Sequence, residues 1–177
     1  IHEDKVYDSD YYEALRFLHM GDDSKAKEYI ERSIKKRGET PEALMSLAGI
    51  ATRANQDIEA KKYLEKAIDM NSELYVAHYN LANIYVKEDN NEKLAETLKP
   101  VYEFTPELGE TWYNYAVALV KTNKIDEAKP VMESFIKKYE DDKTRQDKVK
   151  KIKDVLEKIN QQKPSSDANS VMNSAKK

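Results

Sequence analysis

Residues 41–74 read PEALMSLAGIATRANQDIEAKKYLEKAIDMNSEL, and their spacing of small and large residues recurs along the chain. Ala48 belongs to a column of alanines, Ala14, Ala48, Ala82 and Ala116, each 34 residues after the last. Ala60 stands in a second column with Ala26, Leu94 and Ala128. Large apolar residues make a third, Ile30, Leu64, Leu98 and Met132, and Phe17, Ala51, Tyr85 and Leu119 a fourth. A fixed period of this length marks a stacked-repeat protein. The physical reason is local. Two helices of a hairpin cross closely only where side chains are small, and the large residues fill the space toward the next hairpin. One hairpin cannot bury its apolar face; a stack can.

Within that frame each hairpin has its own signals. Thr40-Pro41 predicts a helix start, with threonine as cap and proline at the first helical position. Leu44, Leu47, Ala48 and Ala51 give one apolar face at helical spacing, Asn55-Gln56-Asp57 turns the chain, and Ala60, Leu64, Ala67 and Ile68 line the return helix. Asp10 with Glu13 resembles a capping box for a helix over 11–20. Gly38 ends the second helix, and Ser72 is the expected cap of the third hairpin. Pro100 falls within a return helix and predicts a kink, and Leu94 in the small column predicts a slightly opened third hairpin. Pro130 is expected near the first turn of its helix, where a missing N–H costs little. In the last segment Val149, Ile152, Leu156 and Ile159 draw a narrow stripe on a charged helix. That pattern suits a terminal cover; a coiled coil is the alternative, but the stripe is too short to argue for one.

Composition sets the outer limits. The chain has 177 residues, 36% of them charged, above the ~25% of ordinary domains, which suits an elongated stack with a thin core. A net charge of -3 argues against nucleic acid as a partner. There is no cysteine, so neither a disulfide framework nor a cysteine zinc site is possible. No apolar run has the ~20 residues that a membrane-spanning helix needs, so no membrane insertion is expected. The chain begins at Ile1, as a fragment or processed product would, so the compartment stays open between a cytoplasmic and an exported one. His2, His19 and His78 lie far apart, and His78 occupies a packing place. No phosphate-binding loop, nucleophile elbow or metal-ligand pair is present, and Trp112 reads as core. No enzyme activity, cofactor or metal is expected.

The runs Trp112, Tyr115, Ala116, Leu119, Ala128, Phe135 and Leu44, Leu47, Ala48, Ala51, Asn55, Ala60, Leu64, Ala67 resemble the tetratricopeptide repeat, with Pro106 at a repeat end. The resemblance covers four repeats, 7–40, 41–74, 75–108 and 109–142, after a lead-in at 1–6. A capping helix over 143–162 and a disordered tail or linker over 163–177 follow. It implies an all-α fold, a right-handed superhelical solenoid of antiparallel helix pairs. It also implies a concave groove lined by each repeat's first helix, which holds a partner's peptide or helix. On that geometry the groove residues are Tyr11, Tyr12, Met45, Tyr79, Asn80, Asn83, Tyr113, Asn114 and Val117, with a basic rim of Arg53, Lys87 and Lys121. Exposed aromatics in register read as a binding face, and carboxamides both donate to and accept from a peptide backbone. The basic rim reads first as a solvated face, although it has the chemistry to orient a carboxylate. The Lys/Asn clamp that receives heat-shock chaperone tails in this family is not reproduced in any register; the nearest keeps Asn83, Asn114 and Lys148. The expected function is a protein-interaction scaffold or adaptor. The alternatives are a structural assembly unit using the convex face or self-association, and the interaction arm of a larger protein; the oligomeric state is open.

Overall fold

The computed structural model describes residues 9–105 and 110–161. The lead-in 1–6, the tail 163–177 and the repeat end at Pro106 lie outside the described residues, which are helices and turns without a strand. The chain divides into two compact units, Ile1–Asn90 and Asn91–Lys177.

The first unit holds α1 (Ser9–Met20), α2 (Asp23–Arg37), α3 (Pro41–Arg53), α4 (Asp57–Met70) and α5 (Tyr75–Lys87). Each helix packs on its neighbours in sequence, α1 on α2, α3 on α2 and α4, and α5 on α4. Ala14 and Ala26 meet in one core with Tyr11, Ile30, Ala43 and Leu47, closed at its edge by Phe17, Tyr29 and Tyr63. Ala48, Ala60 and Leu64 are buried in the next pair. The small columns thus do what their size allows: they let two backbones approach while the large column fills the space between pairs.

The hairpin turns carry the same period as the core. Gly21, Asn55, Asp89 and Asn123 all adopt positive φ, at 77°, 56°, 50° and 59°. In each the amide one residue later donates back to a carbonyl near the helix end: Asp22 to Phe17, Gln56 to Ala51, Asn90 to Tyr85 and Lys124 to Leu119. This is the left-handed cap that satisfies the last carbonyls of a helix, and Gly, Asn and Asp are the residues that tolerate it.

Helix starts agree with expectation in some places and differ in others. Thr40 caps α3, its hydroxyl accepting from the Ala43 amide at 3.2 Å, with Pro41 at the first helical position. Gly38 caps the end of α2. Asp10 is not the cap of α1 but lies inside it, buried, with its carboxylate bridged to Arg32 and Lys36 of α2. A buried carboxylate needs a charged or hydrogen-bonding partner, and Arg32 and Lys36 supply it here. Ser72 does not cap α5, whose first residue is Tyr75; its carbonyl instead accepts from His78 Nε2 at 3.0 Å. His78 is therefore a packing residue with a structural hydrogen bond.

The second unit holds α6 (Asn91–Phe104), α7 (Glu110–Lys121), α8 (Ile125–Tyr139) and α9 (Gln146–Gln161), packed in sequence. α6 runs through Pro100 without interruption, and Leu94 is buried. Pro130 is the sixth residue of α8 rather than part of its first turn, so the Asp126 carbonyl loses its helical donor. Trp112 is buried as expected, with the Tyr102 ring edge-on at 5.3 Å and Lys138 Nζ over its face at 5.3 Å. Phe135, fully buried, lies tilted against the Tyr139 and Tyr113 rings, with centroids at 4.9 and 5.8 Å. α9 lays Val149 and Ile152 into the core beside α8. Lys153 of α9 bridges Glu140 at 2.8 Å, and Lys129 of α8 donates to Asn160 at 2.9 Å.

Candidate protein-binding face

The first helices α1, α3 and α5 carry the candidate residues of the first unit. Tyr11 is not on an open surface. It is only 6% exposed, and its hydroxyl lies 3.2 Å from Ser46 Oγ. Tyr12, the next residue, is 58% exposed, and Leu15 one turn on is exposed as well. Met45 is half-buried, and Tyr79 is 37% exposed. The helical advance of 100° per residue explains the split, since Tyr11 and Ala14 share the face turned to α2 and Tyr12 turns away.

Between α3 and α5 lies a cleft of about 280 Å³ lined by Gly49, Thr52, Arg53, Asn80, Asn83 and Lys87. Gly49 opens it: a Cβ there would project to within 3.6 Å of Arg53 Nη1. Asn80 and Asn83, one turn apart on α5, line the opposite wall. Neither carboxamide makes a hydrogen bond among the described residues. Thr52 donates to the Ala48 carbonyl at 2.8 Å and so is satisfied within its own helix.

The two rim cations of this unit are engaged one hairpin back. Arg53 holds Asp23 through two bonds, Nε at 2.9 Å and Nη2 at 2.6 Å. Lys87 reaches both oxygens of Asp57, at 2.9 and 3.0 Å. Both pairs span 30 residues, from the first residue of a return helix to the last of the next hairpin's first helix. The hydrogen bond from Arg53, with its charge, holds Asp23 below the usual carboxylate range, and Asp23 in turn raises Arg53. A ligand carboxylate would compete with an existing partner there. The sequence signal for this ladder is an acid at the starts of α2 and α4, 30 residues before Arg53 and Lys87. Asn91 stands at the third such place.

In the second unit Tyr113, Asn114 and Val117 are half-buried and Lys121 is exposed, all on α7. Lys148 of α9 places its Nζ over the Tyr113 ring at 5.2 Å. Val117, Val120 and Lys121 also line a cavity of about 100 Å³ with Ala116, Met132, Ile152 and Val155. The four α7 residues thus lie on one helix, within reach of α9. Among the described residues no group of acidic or histidine side chains could hold a metal ion, and no helix is long and apolar enough to cross a membrane.

Helix pairs stacked on a 34-residue period, with one left-handed cap per pair, define a helical-repeat solenoid. Residues 41–74 and 110–142 each match the tetratricopeptide repeat, so the chain carries tetratricopeptide repeats. That family and fold are those of non-enzymatic protein–protein interaction modules, with proteins or peptides as partners. Among solved structures, YrrB, a TPR protein with an unusual peptide-binding site, matches at 17% identity with a TM-score of 0.61, over 75% of this chain and 69% of YrrB. A tetratricopeptide repeat protein from Parabacteroides merdae matches at 16% identity and a TM-score of 0.67, over 89% and 68%. MamA from Desulfovibrio magneticus RS-1 matches at 15% and 0.64, over 92% and 99%. At such identities the likeness is one of fold. No curated protein sequence matches the chain.

Proposed function

We propose that the chain is an interaction scaffold that holds an extended segment of a partner protein on the face built by its first helices. The observation that carries this reading is the pair Asn80 and Asn83 across from Gly49. Two carboxamides without a protein partner border a cleft whose far wall has Gly49, with no side chain, between Ala48 and the Thr52 and Arg53 side chains. A carboxamide donates and accepts at once, which matches the alternating N–H and C=O of an extended backbone. Tyr79, exposed beside them, offers amphipathic contact area at low entropy cost. Within the first unit, α1, α3 and α5, the first helices of the repeats at 7–40, 41–74 and 75–108, supply this face; the repeat at 109–142, with the cap over 143–162, belongs to the second unit. Arg53 and Lys87 act chiefly as braces between hairpins rather than as ligand anchors.

The test is selection of binders from a displayed random-peptide library on the full chain. The selected peptide is then titrated against wild type and Asn80→Ala/Asn83→Ala, with matched circular dichroism. The folded double variant should bind roughly 5- to 150-fold more weakly, since each of two lost hydrogen bonds contributes about 0.5–1.5 kcal/mol. Equal affinity for both proteins, or a library without any binder, defeats the reading.

A further inference from the structure

We propose that Asp23 and Asp57, on the return helices α2 and α4 and outside the cleft between α3 and α5, set the charge selectivity of that cleft: by engaging Arg53 and Lys87 they disfavour acidic segments and reserve it for an uncharged one. This rests on the scaffold reading and deepens it, since it names which segment the cleft takes. Among the described residues that line the cleft, only Arg53 and Lys87 are ionisable. Two bare cations beside Asn80 and Asn83 would recruit carboxylates, because guanidinium and ammonium groups make strong, charge-assisted hydrogen bonds. Here both heads are already engaged. Asp23 accepts two bonds from Arg53 and Asp57 two from Lys87, at 2.6–3.0 Å. Both pairs have side chains 53% and 32% exposed, and ion pairs so exposed add little to stability. The charge they cancel is the larger consequence.

The surroundings of the cleft are balanced in the same way. Arg53 and Lys87 stand in the last turns of α3 and α5, where the helix carbonyl ends add partial negative charge beside each cation. Glu88, next to Lys87, is bridged to Lys61 at 2.7 Å. On α1, Glu13 and Arg16 pair at 2.9 Å, and the buried Asp10 is bridged to Arg32 and Lys36. Glu42, in the first turn of α3, adds a carboxylate about 16 Å along the helix from Arg53. A segment with carboxylates therefore finds each cation of the cleft already facing an acid, and a cationic segment finds both acids taken. An uncharged segment meets neither conflict and still has the two carboxamides and the exposed Tyr79 before it. Selectivity of this kind comes from what a site disfavours as much as from what it holds.

The experiment uses the full chain and the displayed random-peptide library. Binders of the wild type that depend on Asn80 and Asn83 should carry Asp and Glu below their share in the unselected library. One such peptide, and the same peptide with two neutral residues changed to aspartate, are then titrated at low salt. The wild type should prefer the parent at least fivefold. Asp23→Asn/Asp57→Asn, folded by circular dichroism, should reduce that preference at least fivefold and should itself select acidic peptides. At about 1 M salt, where charges are screened within about 3 Å, the two proteins should converge. Asp23→Glu/Asp57→Glu should keep the wild-type preference. Adding Arg53→Gln/Lys87→Gln to the asparagine variant should restore it too, which loosened hairpins alone would not do. The proposal is overturned if the Asn80- and Asn83-dependent binders of the wild type are rich in acids, if the asparagine variant discriminates as the wild type does, or if the fourfold variant keeps the altered preference. Each of those results leaves the scaffold reading intact. A library without any binder, or binders indifferent to Asn80 and Asn83, defeats that reading and this proposal with it.

Discussion

Gly21 closes the first hairpin at φ 77°, and a Cβ added there would meet no atom within 4 Å. The only penalty on Gly21→Ala is therefore the left-handed backbone, which costs an L-residue about 1–2 kcal/mol. Gly49 is the opposite case, since it lies inside α3 and its added Cβ would make an ordinary contact with Arg53. Gly49→Ala should stabilise the first unit by up to about 1 kcal/mol through helix propensity, while narrowing the cleft. Urea denaturation of the two variants should give shifts of opposite sign. Ionisable side chains add a pH signature at the same scale. Burial, with Glu59 next to it, pushes Tyr63 up to about 12; burial, with Glu127 and Glu103 near it, pushes Tyr115 up to about 12. Both favour the neutral phenol in the fold, so their contribution is complete below the ordinary value of 10.0 and is lost as pH rises toward 12. Asp23, held down by Arg53, and Glu59, held down by Tyr63 and Lys27, run the other way. Their contribution is complete above the ordinary 3.8 and 4.5 and is lost as pH falls through the lowered values. Absorbance at the tyrosinate band should contain a late step near pH 12 that Tyr63→Phe and Tyr115→Phe each diminish; an unchanged late step in both variants would contradict it.

A helix is placed here by what it crosses, so the tolerance of a position follows its column. Ala128 is fully buried in α8 at the small column. Ala128→Leu should force the α7–α8 pair apart and cost about 1–3 kcal/mol, read as a lower melting temperature of the folded chain. Element boundaries were legible wherever the signal was local: Thr40-Pro41, Gly38 and the turn Asn55-Gln56-Asp57 all act as their chemistry dictates. They were not legible where a distant partner decides. Asp10 has the spacing of a cap, but Arg32 and Lys36, over 20 residues on, claim its carboxylate. Ser72 has the chemistry of a cap, but Asn71 accepts from the Glu73 amide at 3.1 Å and the helix starts later. The candidate face shows the same divide. The first-helix positions were readable from the period, whereas the burial of Tyr11 and the engagement of Arg53 and Lys87 depend on neighbouring hairpins. The approach of Lys148 to Tyr113 comes from α9, outside the repeat altogether.

In a chain built by stacking, each helix pair rests on its neighbours, so damage should stay local. α9 has no counterpart among the repeats, and it buries Val149 and Ile152 beside α8. Ile152→Ala deletes most of a fully buried side chain, a change that typically costs about 2–5 kcal/mol through lost transfer energy and the cavity left behind. In a protein with a single core that loss would lower protection everywhere. In a stack it should weaken the terminal pair first, because α3 and α4 draw their burial from α2 and α5. Native-state hydrogen exchange separates the two cases residue by residue. The variant should lose amide protection across α8 and α9 by two to three orders of magnitude, while the amides of Leu64 and Ala67 keep theirs within about tenfold. Equal loss at Leu64 and at Met132 would mean that both units unfold as one.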